Sequence, residues 1–474
     1  MPDPRIVILG GGPAGLGGAF RLAGKGGARV ILVERREAVG GNAGSFECGG
    51  QRVDYGSHRL HPACDSTILD DIRSMLGDDL VTRPRHGRIR LLGEWVHFPL
   101  RPLDLALRLD RRFAAGVLRD MLLRLPGRDG TDEDTFADVL RSRLGRTICE
   151  HFYFPYARKI WGLEPEELSA VQAHRRVAAN SFGKLVRKVL GRLPGVPPVG
   201  FQHYYYPRSG YGGISEAYAR EAVSRGAELL LGWEVAGLER PETPGGEWRV
   251  TARRDDETRT MEADHVWSTI PLTALARLVT PAAPPAVLEA ADAMRFRSMI
   301  LVYLTLDVDR FSEYDAHYFP GPEIAITRLS EPKNYADLAE PRGRTTLCAE
   351  LPCSPADDWW RLDDRELGRR VGEQMERVGL PLPVEPASIT TRRLGQAYPI
   401  YDLGYEPPFD TLDEWVDGLP GLITYGRQGL FAHDNTHHAL YMGYRAADCF
   451  GPDGFDAERW ARYREEFETH VVED

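Results

Sequence analysis

The first residues of this 474-residue chain whose types and spacing suit chemistry are Gly10-Gly11-Gly12-Pro13-Ala14-Gly15 and, further on, Glu34. A G-x-G-x-x-G presents backbone N–H groups with no side chain in the way, which suits a dinucleotide pyrophosphate; an acid about 20 residues later suits the adenosine ribose hydroxyls. Gly10 permits the tight turn, Gly12 the approach of backbone to phosphate, and Gly15 the packing of helix on strand. A chain with 49 glycines makes such spacings by chance, so the surrounding elements decide. Arg5-Ile6-Val7-Ile8-Leu9 reads as a strand entering the loop, Leu16, Ala19, Phe20 and Leu22 repeat at helical spacing after it, and Arg29-Val30-Ile31-Leu32-Val33 is a second strand that ends at Glu34. Strand, turn, helix, strand and acid fall in register, which argues against a ligand-free glycine loop.

A second group able to do chemistry lies near the far end, in Phe431-Ala432-His433-Asp434-Asn435-Thr436-His437-His438. His433 and His437 have the i, i+4 spacing of a metal pair, but no third ligand motif is visible, so no metal is expected. The six cysteines are scattered, with no C-x-x-C, and read as buried thiols. Net charge of -11 argues against a nucleic-acid partner, and 42% hydrophobic with 27% charged residues is ordinary globular composition. No apolar run approaches the roughly 20 residues of a bilayer span. With no leader pattern before the first strand, a cytoplasmic location is expected.

The chain alternates between two kinds of segment. Phe46 to Asp54 reads as a hairpin turning at Gly49-Gly50. From Leu100 to about Leu193 the pattern is helical, with Leu105, Leu107, Leu109, Phe113, Val117, Leu118, Met121 and Leu122 on an apolar face broken by arginines and prolines at 99, 102 and 126; Val189 to Pro198 reads as a loop. The arginine-studded stretch from Leu105 to Arg128 is read as a solvated helix face with its apolar side in the core, in preference to a membrane-surface helix. After Tyr204-Tyr205-Tyr206 come a helix from Ile214 to Arg225, strands near Leu229 to Val235 and Trp248 to Ala252, and a strand into Ser268-Thr269-Ile270-Pro271. Strands at 297–308 and 344–351, a helix from Asp364 to Arg377, a strand at Gly421 to Gly426 and a helix from His437 to Cys449 complete the series. We divide the chain into nucleotide-binding segments 1–99, 204–271 and 396–450, a helical region 100–203, a substrate-binding segment 272–395 and a C-terminal helix or tail 451–474.

Glu34-Arg35-Arg36-Glu37-Ala38-Val39-Gly40-Gly41 resembles the E-R-x-x-x-x-G-G extension of FAD-binding proteins, which favours FAD over NAD. Asp54-x-Gly56-x-His58, Trp161-Gly162-Leu163-Glu164-Pro165-x-x-Leu168-Ser169-Ala170, Tyr206-Pro207-x-x-Gly210-x-Gly212, Ser268-Thr269-Ile270-Pro271 and Gly426-Arg427-Gln428-Gly429 follow in order. With them, most of the chain resembles the FAD-dependent amine oxidase and protoporphyrinogen oxidase superfamily, near its UDP-galactopyranose mutase-like branch. The resemblance implies an α/β fold, α+β overall: a Rossmann-like two-dinucleotide-binding-domain FAD fold with an inserted substrate domain of mixed sheet and a helical subdomain. It implies that Glu34 binds the adenosine ribose, Arg35 lies beside the adenine, Gly40, Gly41 and Asn42 bring backbone to the cofactor, and Val235 meets the adenine. Gly426 and Arg427 would approach the pyrophosphate and ribityl chain, and Ala439 and Leu440 would aim N–H groups at the flavin pyrimidine.

By the same resemblance His58, His433 and His437 lie at the flavin, as catalytic candidates. The bland alternative for His58 is a ring bonded to a nearby backbone carbonyl. Arg175, with Arg59, Arg176 and Arg208, is a candidate clamp for an anionic substrate, although each arginine alone reads as a surface or salt-bridge residue. Tyr204-Tyr205-Tyr206, Tyr398, Tyr401 and Tyr405 suit either a substrate pocket or a core edge. Only one dinucleotide fingerprint is present, so two-electron oxidation of an amine, an alcohol or a ring undergoing desaturation, in a small anionic or sugar-containing metabolite, fits best. The main rival is a redox-neutral isomerase of the UDP-galactopyranose mutase kind, which uses reduced FAD on a nucleotide sugar; the Gly-Arg-Gln-Gly-Leu-Phe-Ala-His ending departs from that family's usual form. A flavoprotein kept for binding alone is the third class. The sequence leaves the oligomeric state open.

Overall fold

The computed structural model describes residues 3–100, 107–122, 133–176, 202–243 and 245–472. Five parallel strands make the nucleotide sheet, in the spatial order Leu422–Thr424, His265–Ser268, Arg5–Leu9, Arg29–Glu34, Glu228–Leu231. Parallel neighbours cannot be joined by tight turns, and here the crossovers are long enough to hold whole further sheets. Ile6 and Ile8 lie in one apolar core and Val7 and Leu9 in another, all fully buried. That period of two, with both faces covered, is why the strand reads as an unbroken apolar run.

On the first face lie the helices Pro13–Lys25, Gly213–Ser224 and Thr436–Asp448, packed through Leu16, Phe20, Tyr218 and Leu440. On the other lies a four-stranded sheet, Glu257–Ala263, Trp248–Arg254, Glu234–Glu239 and Val279–Thr280, which contributes Leu238, Val250 and Ala252. The expected strand from Leu229 to Val235 is therefore two strands in two sheets, separated at Gly232-Trp233, where φ at Gly232 is +74°.

A seven-stranded sheet forms the second body: Ser388–Pro399, Phe296–Leu306, Thr345–Cys353, Arg328–Ser330, Ala316–Tyr318, Gly87–Leu91, Glu94–Phe98. Along Phe296–Leu306, Ile300, Val302 and Leu304 pack toward Leu367, Val371 and Met375 of the helix Asp364–Arg377, whereas Met299, Leu301 and Tyr303 pack toward Val53 and Cys48. The hairpin at 87–98, placed in segment 1–99 from sequence, belongs by hydrogen bonding to this sheet through Gly87 opposite Ala316. Its alternating burial identifies a strand, but alternation carries no information about which sheet a strand joins.

In the helical region, Phe113 and Val117 of Arg111–Leu122 pack against Val139, Ile148 and Ala157, and Arg111, Arg112 and Arg119 face outward, as a solvated helix requires. Leu107 and Leu118, expected on the apolar face, do not turn to the core: they are exposed, at 78% and 55%. Leu105, Pro102, Pro126 and the Val189 to Pro198 loop lie outside the described residues. All six cysteines are free and buried, and no described helix is long and apolar enough to cross a membrane.

Helices Pro13–Lys25 and Thr436–Asp448 touch backbone to backbone. A Cβ on Gly443 would sit 2.4 Å from Ala14 O and 2.6 Å from Gly18 N. Gly443→Val should cost about 3 kcal/mol or more in chemical unfolding, since neither backbone can yield. Gly451→Ala, where a Cβ meets nothing within 4 Å, should unfold like the parent.

Candidate functional site

The glycine loop adopts the geometry its spacing requires. Gly10 has φ of +105°, and its N–H donates to Val33 O at 2.8 Å, tying the loop to the neighbouring strand. A Cβ on Gly15 would lie 2.0 Å from Gly10 O, whereas one on Gly12 would meet nothing within 4 Å. The helix Pro13–Lys25 has Gly12 at its N-cap with no side-chain cap and no acid in its first turn. Pro13 lacks an N–H and Leu16 N bonds Gly12 O, leaving the Ala14 and Gly15 N–H groups at an open helix end, the setting for a phosphate. These residues fit a dinucleotide.

Glu34 is buried at the end of its strand. Its Oε2 accepts from Gly11 N at 2.7 Å and its Oε1 from Arg36 N at 2.8 Å, and each oxygen keeps a second lone pair for a hydroxyl. Gly40 N donates to Gly11 O at 2.8 Å, and Gly40 and Gly41 both take positive φ, so the second glycine pair lies on the first loop. Arg36 stacks on Tyr55 and donates to Gly41 O, while Arg35 is exposed. Val235 is half-buried just past Trp233, whose N–H donates to Glu34 O at 3.0 Å. Gly426, at φ +80°, runs over the same helix end: a Cβ there would lie 2.5 Å from the Ala14 Cβ.

Helix Thr436–Asp448 brings a second N-terminus to this end. Asn435 caps it, with His438 reciprocating. Ala439 N already bonds Asn435 O, so Ala439 and Leu440 lie inside the helical ladder and cannot aim free N–H groups outward. The groups at the open end are those of Thr436 and His437, because the helix begins earlier than its apolar pattern shows.

His58 takes the bland position in one respect: its Nε2 lies 2.9 Å from Asn42 O and 3.0 Å from Tyr55 O, and the ring stacks on Tyr211 at 5.2 Å. Nε2 therefore carries the hydrogen, and Nδ1 keeps its lone pair. Desolvation lowers its pKa, opposed by buried Asp54, so the ring is neutral at pH 7.

The arginine clamp divides. Arg175 is committed to the Phe467 carbonyl at 3.1 Å and to Glu468; it ties down the C-terminal segment and is not a catalytic group. Arg59 is paired with Asp315 at 3.2 Å and lies between Tyr204 and Tyr335, and Arg208 is exposed. Arg176 turns instead to an aromatic cluster. Its guanidinium lies 5.4 Å from the rings of both Trp161 and Tyr398.

Arg427 meets it there, 4.8 Å from the Tyr398 ring, with Nη2 on Ala397 O at 2.6 Å and Nε unpartnered among the described residues. His433 completes the group, with Trp161 at 5.0 Å and Tyr401 at 4.8 Å. It is buried, and neither ring nitrogen has a hydrogen-bond partner among the described residues. Burial and the two guanidiniums hold it neutral, well below the usual histidine pKa. His437 lies apart, between His438 and His61. Of the tyrosines, Tyr204 and Tyr206 are core, bonded to Tyr335 O and Asp54, while Tyr398 and Tyr401 line the cluster. Trp161 was legible only as a motif letter; its place beside His433 depends on packing between helix and connection.

A family model described as flavin containing amine oxidoreductase matches residues 13–449. Phytoene dehydrogenase of Streptomyces griseus is 28% identical over 50% of this chain and 50% of its own length. Human protoporphyrinogen oxidase is 25% identical over 63% of this chain and 66% of its own length, so the chain spans about half to two thirds of these relatives. A reduced UDP-galactopyranose mutase structure superimposes with a TM-score of 0.78 at 20% identity, covering 99% of this chain and all of that one. A protoporphyrinogen oxidase-like structure from Exiguobacterium sp. 255-15 gives 0.71 at 21%, covering 94% and 98%. The shared fold is that of two-dinucleotide-binding-domain flavoproteins.

Arg175→Ala should lower unfolding stability by about 2 kcal/mol, the scale of a lost charged hydrogen bond. Limited proteolysis should then release the C-terminal segment earlier; unchanged protection would contradict a tethering role.

Proposed function

Because the chain belongs to the flavin containing amine oxidoreductase family, we propose that it is an FAD-dependent oxidoreductase acting on a small anionic or sugar-containing metabolite. The observation that carries the substrate class is the cluster of Arg176, Arg427 and His433. Two guanidiniums share one aromatic ring, a buried imidazole and a buried Nε lack partners among the described residues, and the nearest acid, Asp434, faces His438 and His470. Arg176 and Arg427 are half-buried, and cations withdrawn from water without a paired anion are destabilised; a phosphate or carboxylate on the substrate supplies one.

FAD, when bound, supplies two-electron redox chemistry. Gly12, Ala14 and Gly15 would hold its pyrophosphate and Glu34 its ribose, with Gly40 and Gly41 bringing backbone alongside. Arg176 and Arg427 bind and orient the anion, and Tyr398 and Trp161 keep water from it. His433 is neutral, so one of its ring nitrogens offers a lone pair that can take the proton released when an amine, an alcohol or a ring carbon is oxidised. His58 Nδ1 is a second acceptor on the cofactor side of the chain.

A second reading is a redox-neutral isomerase acting on a nucleotide sugar. The fold likeness to reduced UDP-galactopyranose mutase favours it, as does a 26% identity to a probable mutase of Klebsiella pneumoniae over 36% of this chain and 44% of that protein. The same arginines would then hold a diphosphate.

Anaerobic addition of amines, alcohols and nucleotide sugars to the purified flavoprotein separates the readings. Bleaching by one compound and recovery in air is the expected result; product formed only after dithionite, with no net oxygen uptake, would favour the isomerase. Arg176→Ala should raise KM for an anionic substrate roughly 10-fold or more, as loss of a charge-assisted contact does, and leave a neutral amine unchanged. Equal effects on both would remove the anion site. Gly12→Val should leave the fold intact, since the position is open, yet purify with little flavin.

A further inference from the structure

Asp434, His438 and His470 are not used by the function above, and they converge from two distant parts of the chain. Asp434 lies in the connection before helix Thr436–Asp448, His438 in that helix's first turn, and His470 just beyond the last helix, Ala457–Phe467. Asp434 Oδ1 is 3.3 Å from His438 Nδ1 and 3.2 Å from His470 Nδ1. The three donor atoms all lie within 4.8 Å of one another, and the two imidazoles stack at 4.3 Å and 15°. The Asp434 side chain is fully shielded from solvent, and its Oδ2 has no hydrogen-bond partner among the described residues.

We propose that Asp434, His438 and His470 bind a first-row divalent cation of the zinc type, which fastens the C-terminal segment to helix Thr436–Asp448. Tetrahedral zinc with bonds of about 2.0–2.2 Å sets its ligand atoms about 3.3–3.5 Å apart. The two Asp434-to-histidine separations match those edges. Two imidazoles with one carboxylate select zinc and its neighbours over magnesium and calcium, which take oxygen ligands. The fourth position is left to water. The segment is already held on both sides of His470: Arg175 donates to Phe467 O at 3.1 Å, and Val472 N donates to Arg175 O at 2.9 Å. His470 therefore reaches Asp434 on a short, anchored span, and the metal is a third fixing point.

The test uses the untagged, flavin-loaded protein and does not depend on its activity. After dialysis against a chelator and return of zinc, elemental analysis should give about one zinc per chain, with a Tm several degrees above the stripped form. Cobalt should give the visible absorption of a low-symmetry site. His470→Gln and Asp434→Asn should each weaken zinc binding by roughly 100-fold or more, beyond what loss of a supporting contact does, while His437→Gln should bind as the parent does. If either ligand variant fails to fold, the cobalt spectrum of the parent decides alone. Protein that takes up neither metal and shows no Tm shift with zinc holds protons at this place, and the proposal fails.

Discussion

Two helices that lie backbone against backbone and point the same way are the constraint on which the ligand end depends. Gly17 and Gly443 remove the side chains between Pro13–Lys25 and Thr436–Asp448: a methyl group on Gly443 would collide with main chain, and one on Gly17 would press on Leu440 O at 3.0 Å. Contacts of Gly443 with Ala14 and Gly18, and of Lys25 Nζ with the carbonyls of Ala447 and Phe450 at 2.8 and 2.6 Å, fix the parallel sense. Parallel neighbours set like ends of two dipoles together. At the carbonyl end Lys25 supplies the compensating charge. At the N–H end no acid stands in the first turn of either helix, and the compensation is left to an anion. The glycine loop and the Gly426 connection both open there, so one packing decision makes the positive end, clears it and places it beside Arg427.

Pairing separates arginines that hold the fold from arginines that face a ligand. Arg328 makes two bonds of 2.9 Å to Glu350, whose Oε1 also accepts the Ser57 N–H, so this pair fastens the D-x-G-x-H turn to the seven-stranded sheet. Arg59 has Asp315, and Arg464 has both oxygens of Asp413. Each of these would leave a stranded charge if its partner were lost. Arg176 and Arg427 have aromatic faces instead of carboxylates. A guanidinium on a ring is stabilised only modestly and keeps its edge donors for something else.

The nucleotide sheet was legible because every feature of it is local: alternating burial from Ile6 to Leu9, positive φ at Gly10, an acid at the end of the next strand. The later strands were legible as strands, and the order of motifs identified the fold. Partnership was not legible where it is decided far along the chain. Arg88 to Leu91 alternates like any half-buried strand, and only Ala316 says which sheet it enters. Arg175 and Arg176 are neighbours of one type, yet one turns to Glu468 and the other to Tyr398. The His433 and His437 spacing brings no pair together: His433 turns to Trp161 and Tyr401, and the groups that converge are Asp434 and His438, one residue on.

The likeness to a mutase and to an oxidase at 20% and 21% identity shows a scaffold, and scaffolds host more than one chemistry. What the two reactions ask of this cluster differs in one respect. A rearrangement without net redox needs its diphosphate held, which guanidiniums alone can do. Oxidation of an amine, an alcohol or a ring carbon also releases a proton, and arginine cannot accept it. A neutral imidazole enclosed by Trp161, Tyr398 and Tyr401, with no hydrogen-bond partner at either nitrogen among the described residues, is suited to that second demand. Burial lowers its proton affinity most, and the two cations that would hold the substrate lower it further. An anion placed between them would offset the cations' share of that lowering and leave the share due to burial. The oxidation proposed above rests on that pairing of anion-binding cations with a neutral imidazole, which a rearrangement would not require.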